Sequence, residues 1–394
     1  MITREAKLYP NKKQIETLEQ LLEKSRLLYN FCLALKKDTY QKDKKTITRF
    51  ELQKQVKEMG DMPATLRQMI VYRLNNAYEQ FFRRGGYPRF KKFGRYRSIA
   101  LRQYGTDYKI DGVYLNTWKK YGLQGMKMRG LQKLNNPTQA RIVKRASGWY
   151  FQVCDEIEIA PPVIVEKAVG IDLGLKYFVV DTDKKKIEAP KMFRKSEMKL
   201  AHQQRQTDKK KRGSNKKKKA YKTIARTQEK IASRRKDFLH KTSRYYANNY
   251  DLVAMEDLNV KGMIKNRCLS KSIQDASWGT FANMLDYKLK MLGRYLVKVP
   301  PHYTSQKCSS CGEIVKKSLS VRTHICLSCG LVLCRDENAS RNILEKGEDI
   351  ANGEGISLEN LMTRRTPSAL AVGVCQNPLL YISPCEKKMQ NNGF

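Results

Sequence analysis

Four cysteines in the second half of the chain constrain its fold more than any other feature. They form two Cys-x2-Cys pairs with 14 residues between them, Cys308 with Cys311 and Cys326 with Cys329. Each pair can chelate a metal ion from a tight turn, and the loop between the pairs can fold back to complete a tetrahedron of thiolates. The spacing therefore predicts a zinc ribbon. Because four protein ligands leave no position for a reactive water, we expect a structural zinc, with neither His324 nor Cys334 as a ligand.

The charge of the chain predicts a polyanionic partner. Its 394 residues include 78 Lys and Arg against 38 Asp and Glu, which gives a formal net charge of +40. An anionic membrane is the alternative, but no run of residues approaches the ~20 apolar positions of a spanning helix, and the first ten residues lack a signal-peptide core. The other cysteines are scattered, unlike a secreted disulfide framework. We therefore expect nucleic acid as partner, no membrane and a reducing compartment.

Helical periodicity follows the first ten residues, which are themselves predicted to form a short strand. Asn11, with Gln14 three positions later, is typical of a helix N-cap. Apolar residues then recur on one helical face, and again in a second helix after a charged stretch. The first set is Ile15, Leu18, Leu22, Tyr29 and Cys32, and the second is Leu66, Ile70, Leu74, Ala77 and Phe81. The two helices predict a small helical unit over residues 11–95.

The helical unit ends in a stretch where cations alternate with aromatic rings, FFRRGGYPRFKKFGRYRS. Cations that bind phosphates and rings that stack on bases occur together in proteins that bind single strands or duplex ends. The alternation, which continues through Phe93 and Tyr96, predicts contacts with nucleic acid. The candidate residues are Arg83, Arg84, Tyr87, Arg89, Phe90, Lys91, Lys92 and Arg95. A solvated loop with a few buried rings is the alternative.

Between Ser98 and Ile159 the pattern changes to short alternating segments separated by glycines. The longest, ARIVKRASGWYFQVCDEIEI, is typical of a hairpin that turns at Ser147 and Gly148. Several short strands with glycine turns predict a small barrel or sheet, to which we assign residues 1–10 and 96–162. Pro161 and Pro162 then interrupt any strand and indicate a domain boundary.

Three carboxylates in the second half stand at the edges of predicted elements. Asp172 lies in the apolar strand AVGIDLGLKYFVV, Glu256 ends the strand in YDLVAMEDLNVKG, and Asp336 begins the helix DENASRNIL. Neighbours on a strand point to opposite faces, so only one of Glu256 and Asp257 can join Asp172. Taken singly, Asp172 is typical of a strand-end turn and Asp336 of an N-cap. As a set they occupy the positions at which ribonuclease H-like folds gather three carboxylates around Mg²⁺, and two such ions can activate water against a phosphodiester.

A basic segment between the first two of these carboxylates predicts a helical hairpin. Eight Lys or Arg fall within residues 209–219, and Gly213-Ser214-Asn215 divides the segment into two arms. In the second arm, apolar residues a heptad apart predict one buried stripe. These are Ile224, Ile231, Phe238 and Tyr245. We add Lys216 and Lys217 to the candidate nucleic-acid contacts, and a charged, solvated hairpin is the alternative.

The order of these motifs resembles the TnpB family, transposon-encoded proteins related to type V CRISPR effector nucleases. The resemblance is carried by GIDLGLKYFVV, MEDLNVKGM, DASWGTFANMLDYKLKMLGRYLVKVPPHYTSQKCSSCG, CLSCG and RDENASRNIL, and more loosely by LYPNKKQ, SRLLYNFCLAL and YPRFKKF. It implies that Asp172, Glu256 and Asp336 are catalytic residues that bind two Mg²⁺ ions. In one departure, Cys334 stands where many relatives have an acid.

The resemblance further implies an RNA-guided DNA endonuclease in the cytoplasm of a prokaryotic cell, associated with the nucleoid when bound to DNA. A guide RNA from the transposon end pairs with the target DNA, and the protein reads a short flanking DNA motif. The flanking motif, the guide length and the oligomeric state stay open.

The implied architecture is multidomain α/β. A RuvC-like (ribonuclease H-like) nuclease domain is expected over residues 163–304 and 335–345, with the zinc ribbon inserted at 305–334. A helical recognition domain (11–95) and a small β-barrel wedge domain (1–10 and 96–162) precede it. Residues 346–394 are expected to form a tail that is either disordered or lies on the RNA.

Three other functions stay open at this point. A transposase of ribonuclease H fold that joins DNA ends would more commonly order its acids Asp, Asp, Glu rather than Asp, Glu, Asp. A regulator that binds DNA under RNA guidance without cutting would not need all three acids. A general zinc-ribbon binder of nucleic acid would leave the strands that carry the acids unexplained.

Overall fold

The computed structural model describes residues 1–57, 59, 61–83, 85–318, 321–356 and 358. The helices in this part of the chain are α1 (Lys12–Asp43), α2 (Arg49–Gln55), α3 (Ala64–Phe82), α4 (Arg194–Asp208), α5 (Asn215–Asn249), α6 (Val260–Met263), α7 (Ser270–Ala276), α8 (Trp278–Met291) and α9 (Arg335–Gly353). None of these helices is long and apolar enough to cross a membrane. The strands are β1 (Ile2–Tyr9), β2 (Ser98–Leu101), β3 (Tyr108–Asp111), β4 (Tyr114–Thr117), β5 (Met126–Arg129), β6 (Asn136–Arg145), β7 (Gly148–Glu156), β8 (Ala168–Asp172), β9 (Tyr177–Asp181), β10 (Lys186–Glu188), β11 (Leu252–Glu256), β12 (Tyr295–Val299), β13 (Thr323–Ile325) and β14 (Val332–Cys334).

Seven strands of the described chain form an antiparallel sheet in the order β2-β6-β7-β1-β5-β4-β3. Strand β1 lies inside it, paired with β7 on one side and β5 on the other, and Ala6 and Leu8 of β1 are buried in the core. The two ends of the sheet approach each other. Tyr108 of β3 donates its hydroxyl to the carbonyl of Thr138 in β6 at 2.9 Å, and its ring packs edge-on against Phe151 of β7. Residues 2–9 and 98–156 therefore share one nearly closed sheet.

The helical unit packs on this sheet and shares its hydrophobic core. Helix α1 begins at the predicted cap, because the Asn11 side chain accepts from the Gln14 N–H and the Gln14 side chain accepts from the Asn11 N–H, both at 2.9 Å. Helix α2 lies in a stretch whose charge did not predict a helix. It is stabilised by a capping box between Thr48 and Glu51 and by the buried Leu52.

Five strands of the second half form a mixed sheet in the order β10-β9-β8-β11-β12. Strands β8, β11 and β12 are parallel, and β9 runs antiparallel to β8. Side chains alternate between the two faces, so that Val253 and Met255 share a core with α5 and α8, whereas Leu252 and Ala254 pack with α9. Helices therefore cover both faces, as the apolar parallel strands require.

Two glycines allow α9 to lie close against this sheet. A Cβ on Gly170 in β8 would lie 2.1 Å from the carbonyl oxygen of Ser340 in α9. A Cβ on Gly347 in α9 would lie 2.4 Å from the Cβ of Ala254 in β11. Any larger side chain at either position would push the helix away from the strands, so these contacts set the distance between β8, β11 and α9.

Helices α4 and α5 form the predicted helical hairpin. Ser214 caps α5 by accepting from the backbone N–H of Lys217 at 3.2 Å. In the predicted stripe, Ile224 and Ile231 are buried and pack with Leu200 of α4. The other two residues of the stripe pack on the core beneath the five-stranded sheet. The stripe therefore closes the hairpin at one end and attaches it to the sheet at the other.

The predicted boundary of the tail at residue 346 is wrong. Helix α9 continues to Gly353, because Gly347 contacts β11 and Ala351 is buried in a core with Val297 and Val299 of β12. Residues 359–394, which make up most of the predicted tail, lie outside the described residues.

Candidate functional site

Strand register brings Asp172 and Glu256 side by side. Each is the last residue of its strand. The strands run parallel with Ile171 opposite Met255, so the two acids end adjacent strands at the same level. The carboxyl ends of parallel strands are where α/β sheets commonly bind ligands.

Strand alternation turns both acids towards α9. Gly170 and Ala254, two residues before Asp172 and Glu256, are the strand residues that contact this helix. Asp257 is instead largely exposed, and its carboxylate lies 3.8 Å from the Lys298 Nζ. Of the two neighbouring acids, Glu256 is therefore the one on the side of Asp172.

Asp336 approaches the same end of the sheet from α9. It lies in the first turn of the helix and is 9% exposed. One turn later, Ser340 touches Gly170 with its carbonyl oxygen. The charge of Asp336 acts on Asp172, whose pKa it helps to raise. The close packing of α9 on β8 therefore brings the third predicted carboxylate to the first two.

Burial and mutual repulsion shape the electrostatics of these acids. The pKa of Asp172 is raised to about 8, first by burial and then by the charges of Glu256 and Asp336, while Arg335 opposes the shift. Burial also raises the pKa of Glu256, against a hydrogen bond from Thr304 that lowers it. Carboxylates that disfavour one another's charge are stabilised by a bound cation, and their hard oxygen atoms are the ligands that Mg²⁺ prefers.

Three residues beside the carboxylates were not identified from the sequence. The Thr304 hydroxyl donates to Glu256 Oε1 at 2.6 Å. Arg335 and Arg322 lie 3.3 and 3.5 Å from the Asp336 carboxylate. Only Arg335 adjoins its acid in the chain, so tertiary packing alone reveals the other two. Guanidinium groups bind phosphate oxygens as well as carboxylates, so this end of the sheet can hold both a divalent cation and a phosphodiester.

The four predicted cysteines lie together. The Sγ atoms of Cys308 and Cys329 are 3.6 Å apart, as are those of Cys311 and Cys326, and all four lie within 4.8 Å of one another. These distances fit a tetrahedron with Zn–S bonds of about 2.3 Å, whose edge is about 3.8 Å. Within the described residues, no other group of three or more His, Cys, Asp or Glu side chains has its ligand atoms this close together, and the three carboxylates are therefore more widely spaced than the cysteines.

The cysteine cluster is joined directly to α9. Strand β14 pairs with β13 and ends at Cys334, the N-cap position of α9. The Asn338 side chain of α9 accepts from the Ser309 N–H at 3.0 Å and donates to the Lys307 carbonyl at 2.8 Å. Cys334 and the buried His324 lie outside the cysteine cluster. Asp336 therefore stands where the ribbon and the five-stranded sheet meet.

The stretch FFRRGGYPRFKKFGRYRS, which we call the basic aromatic segment, is anchored to α1 through the backbone of Lys91. The Asn30 side chain donates to the Lys91 carbonyl at 3.0 Å and accepts from the Lys91 N–H at 2.8 Å. Arg26 donates to the same carbonyl at 3.1 Å. Tyr87 and Phe90 nevertheless keep their rings exposed. A fixed backbone with exposed rings suits the stacking of bases.

The remaining candidate contacts differ in exposure. The exposed cations are Arg83, Arg89, Lys92, Arg95 and Lys216, and the half-buried ones are Lys91 and Lys217. Arg84 lies outside the described residues. Tyr96, a ring of the predicted alternation, is buried against Tyr29, with Arg73 over its face. It belongs to the core because the chain enters β2 two residues later.

A groove between the helical unit and the seven-stranded sheet is a second candidate surface. It has a volume of about 810 Å³ and is lined by residues of α2, α3 and several strands. The Arg49 guanidinium lies 4.7 Å from the ring centre of Phe50 and 4.5 Å from that of Tyr72, and its Nε has no hydrogen-bond partner. Sequence reasoning missed the groove because its walls come from elements far apart in the chain.

Three family models match parts of the chain. Residues 151–267 match a family described as "Probable transposase", and residues 278–343 match "Cas12f1-like, TNB domain". Residues 3–45 match a model described as "Helix-turn-helix domain". The first match contains Asp172 and Glu256, and the second contains the four cysteines and Asp336.

Two curated relatives match over most of their length. A Streptomyces pristinaespiralis protein named "Putative RNA-guided DNA endonuclease" is 31% identical over 387 residues, 92% of this chain and 94% of the relative. An Escherichia coli K12 protein of the same name, with the designation InsQ, is 30% identical over 312 residues, 74% of this chain and 76% of the relative. A solved structure described as a mini-RNA-guided endonuclease, CRISPR-Cas_phi3, is 9% identical with a TM-score of 0.46, covering 88% of this chain and 92% of that chain.

Proposed function

Since the chain belongs to the TnpB family, we propose that it is an RNA-guided DNA endonuclease. Its guide is an RNA from the transposon end, and its substrate is DNA beside a short flanking motif. The five-stranded sheet with α5, α8 and α9 is the RuvC-like nuclease domain, and the cysteine cluster is its zinc ribbon. The nearly closed sheet is the wedge domain, and α1 to α3 form the recognition domain.

The observation that supports the nuclease proposal is that Asp172, Glu256 and Asp336 lie at one end of the five-stranded sheet, near enough for their charges to interact. They come from two strands and a helix, and the charges of the other two raise the pKa of Asp172. Holding three acids together, one buried and two half-buried, is unfavourable unless something compensates their charge. A site that binds cations supplies that compensation and accounts for the arrangement.

The proposed reaction is hydrolysis of a phosphodiester bond. Asp172, Glu256 and Asp336 would hold Mg²⁺, which when bound supplies an activated water and stabilises the leaving oxygen. Thr304 fixes the orientation of Glu256 through its 2.6 Å hydrogen bond. Arg322 and Arg335 stand beside Asp336, where their guanidinium groups can bind the phosphate oxygens of the strand to be cut.

The partners of this reaction are a guide RNA and target DNA. A net charge of +40 suits a complex in which RNA pairs with DNA and the protein contacts mostly the backbones. The anchored basic aromatic segment and the exposed Lys216 provide cations and rings on two different parts of the surface.

The groove of about 810 Å³ is the proposed reader of the flanking motif. Arginine pairs with guanine and glutamine with adenine at the edges exposed in the major groove. Arg49 offers an Nε without a partner, and Gln53 and Gln139 also line the groove. Side chains of these types can pair with base edges.

The proposal is tested by plasmid cutting in Mg²⁺. The protein is co-expressed with its flanking transposon-end RNA, reprogrammed to a chosen target beside a randomised flank. We expect guide-dependent cuts with one enriched flank. Asp172→Ala, Glu256→Ala and Asp336→Ala should each abolish cutting while the purified protein retains its RNA, because each removes a cation ligand without changing the RNA-binding surfaces. Asp237→Ala, which removes an exposed acid on α5, should cut like the unmodified protein.

Other results would point elsewhere. Guide-dependent binding without cuts by the unmodified protein would favour a regulator, and joined DNA ends without a guide would favour a transposase. Normal cutting by any one of the three variants would remove that residue from the set of cation ligands.

A further inference from the structure

A cleft of about 620 Å³ opens beside Glu256 on the face of the sheet that α5 and α8 cover. Glu256 is itself part of its wall, and so are Leu173, which follows Asp172, and Met255, which precedes Glu256. The cleft therefore opens at the end of the sheet that carries Asp172 and Glu256, and it lies on the side of the sheet opposite α9. Its volume falls within the range of about 300–1,000 Å³ that is typical of pockets for small molecules.

Resting on the proposed function, we propose that this cleft binds the nucleobase next to the scissile phosphate, after that base has left the stack of its neighbours. A nucleobase has two apolar faces and an edge of hydrogen-bonding groups. The cleft offers both kinds of surface. Leu258, Ile264 and Ile273 contribute apolar wall, and the amide side chains of Gln274 and Asn283 stand on its exposed side. Amide groups can pair with the edge of a base.

Two buried donors beside the cleft have no hydrogen-bond partner. Trp278 is 4% exposed, and its indole N–H is unpaired. The Nε of Arg235 is also buried and unpaired, although the Nη2 of the same side chain donates to Asp275 at 2.9 Å. Both residues line the cleft. Buried donors are nearly always paired, so two unpaired ones at one cleft indicate a ligand with acceptor atoms, as bases and phosphates have.

The chain departs from regular helix geometry at this cleft. Ser277 joins α7 to α8 with φ +55° and ψ +42°, a left-handed conformation that is unfavourable for a residue with a Cβ. Trp278 and Gly279 follow directly and both line the cleft. A Cβ on Gly279 would have no atom within 4 Å, so the glycine leaves the space open.

The position of the cleft explains why a base of the cut strand should enter it. A phosphate held at the three carboxylates carries a sugar and base on each side. The cleft opens at the same end of the sheet, with Glu256 in its wall, and Arg235 and Lys298 line it as well. Their charges suit the neighbouring phosphates. Taking a base out of the stack costs least in a strand that is already single, as the displaced strand of a guided nuclease is.

The proposal is tested by filling the cleft. Gly279→Leu places an aliphatic side chain in the open space without a φ that disfavours it. Gly353→Leu is the matched control, because this helical glycine is also exposed with no atom near its Cβ, and it stands at the far end of α9. The probe is 2-aminopurine, a base whose fluorescence rises when it leaves the stack, moved one position at a time along the displaced strand of a target. Ca²⁺ replaces Mg²⁺ in these binding measurements.

In the unmodified complex and in Gly353→Leu, we expect fluorescence to rise at one position, the nucleotide beside the cut found in Mg²⁺. Gly279→Leu should remove that rise and slow cutting about 100-fold, the cost of misplacing a reacting group, while its Kd for the target stays unchanged. An equal rise in Gly279→Leu and the unmodified complex would overturn the proposal. The fluorescence is read without cutting, so a complex that shows the rise but never cuts would contradict only the nuclease function.

A second variant tests contact with the edge of the base. Asn283→Ala shortens an exposed side chain on α8 and should not disturb folding. The substrates are targets randomised around the cut. We expect the products cut by Asn283→Ala to have nucleotide frequencies beside the cut that differ from those in the products cut by the unmodified protein. Identical frequencies would show that Asn283 does not contact the base, and with a normal fluorescence signal in Gly279→Leu they would exclude the cleft as a base site.

Discussion

At the scale of single residues, Thr304 connects two of the elements that carry carboxylates. Its hydroxyl donates to Glu256 at 2.6 Å, and its carbonyl accepts from the Asn342 side chain of α9 at 2.8 Å. Thr304 is buried, so water competes little for either bond. One residue, through its side chain and its backbone carbonyl, therefore connects Glu256 of β11 to the helix that carries Asp336.

Replacing this threonine tests its positioning role. Thr304→Val keeps the shape but removes the hydroxyl, and we expect cutting to slow by about 10- to 100-fold, as when other residues that support metal ligands are lost. More Mg²⁺ should be needed for half-maximal rate, because Glu256 is no longer held in place. The measurement is the initial rate of plasmid cutting over a Mg²⁺ titration, with RNA content as the check on folding.

Thr304→Ser is the matched variant, since it retains the hydroxyl and loses only a methyl group. It should cut at close to the normal rate with an unchanged Mg²⁺ requirement. If the serine and valine variants lost activity equally, packing of the methyl group and not the hydrogen bond would be the function of Thr304.

At the scale of elements, α9 joins the two candidate metal sites. It begins where the ribbon ends at Cys334, carries Asp336 in its first turn and packs along β8 and β11 through contacts that only glycine permits. A displacement of this helix would therefore move Asp336 away from Asp172 and would also strain the ribbon.

Gly347→Ala tests this packing. The new methyl group would meet the Cβ of Ala254 at 2.4 Å, so we expect the free energy of unfolding to fall by about 1–3 kcal/mol, as in other overpacked cores. Gly353→Ala, at the end of the same helix with open space around its Cβ, should leave stability unchanged or slightly higher. Urea unfolding followed by circular dichroism would measure both. Equal stability of the two variants would contradict the close contact of α9 with β11.

The features that the sequence predicted well are those set within one element or one short loop. The Asn11 cap, the break between α4 and α5 at Gly213-Ser214-Asn215 and the cysteine cluster each depend on residues a few positions apart or on a chelating pair, whose geometry the chain itself limits. The strand and helix ends at Asp172, Glu256 and Asp336 could be read in the same way.

The features that were missed depend on contacts between distant parts of the chain. Thr304 and Arg322 have no periodicity or motif that marks them, and only folding brings them to the acids. The extension of α9 past residue 346 follows from its burial against β12. The cleft beside Glu256 likewise has walls from several elements.

At the scale of the whole molecule, the ribbon should contribute to both stability and cutting. Cys308→Ser removes one thiolate of four, and we expect the zinc content to fall from about one per chain together with the melting temperature, because structural zinc supplies folding free energy. Cutting should fall as well, since the ribbon leads into α9. Cys268→Ser, an exposed cysteine outside the cluster, is the control. Unchanged zinc content and melting temperature in Cys308→Ser would contradict the ribbon assignment.

The interior position of β1 in the seven-stranded sheet has a consequence for synthesis on the ribosome. Its two neighbours, β5 and β7, are made only after the whole helical unit, which is inserted between β1 and β2. At about 5–20 residues per second, β1 waits on the order of ten seconds before β7 has emerged. Until β2 emerges, α1 to α3 can form contacts only with one another and with β1. An insertion placed between two strands of one sheet can also lengthen or shorten without changing their pairing, so the helical unit is free to diversify in evolution while the sheet is retained.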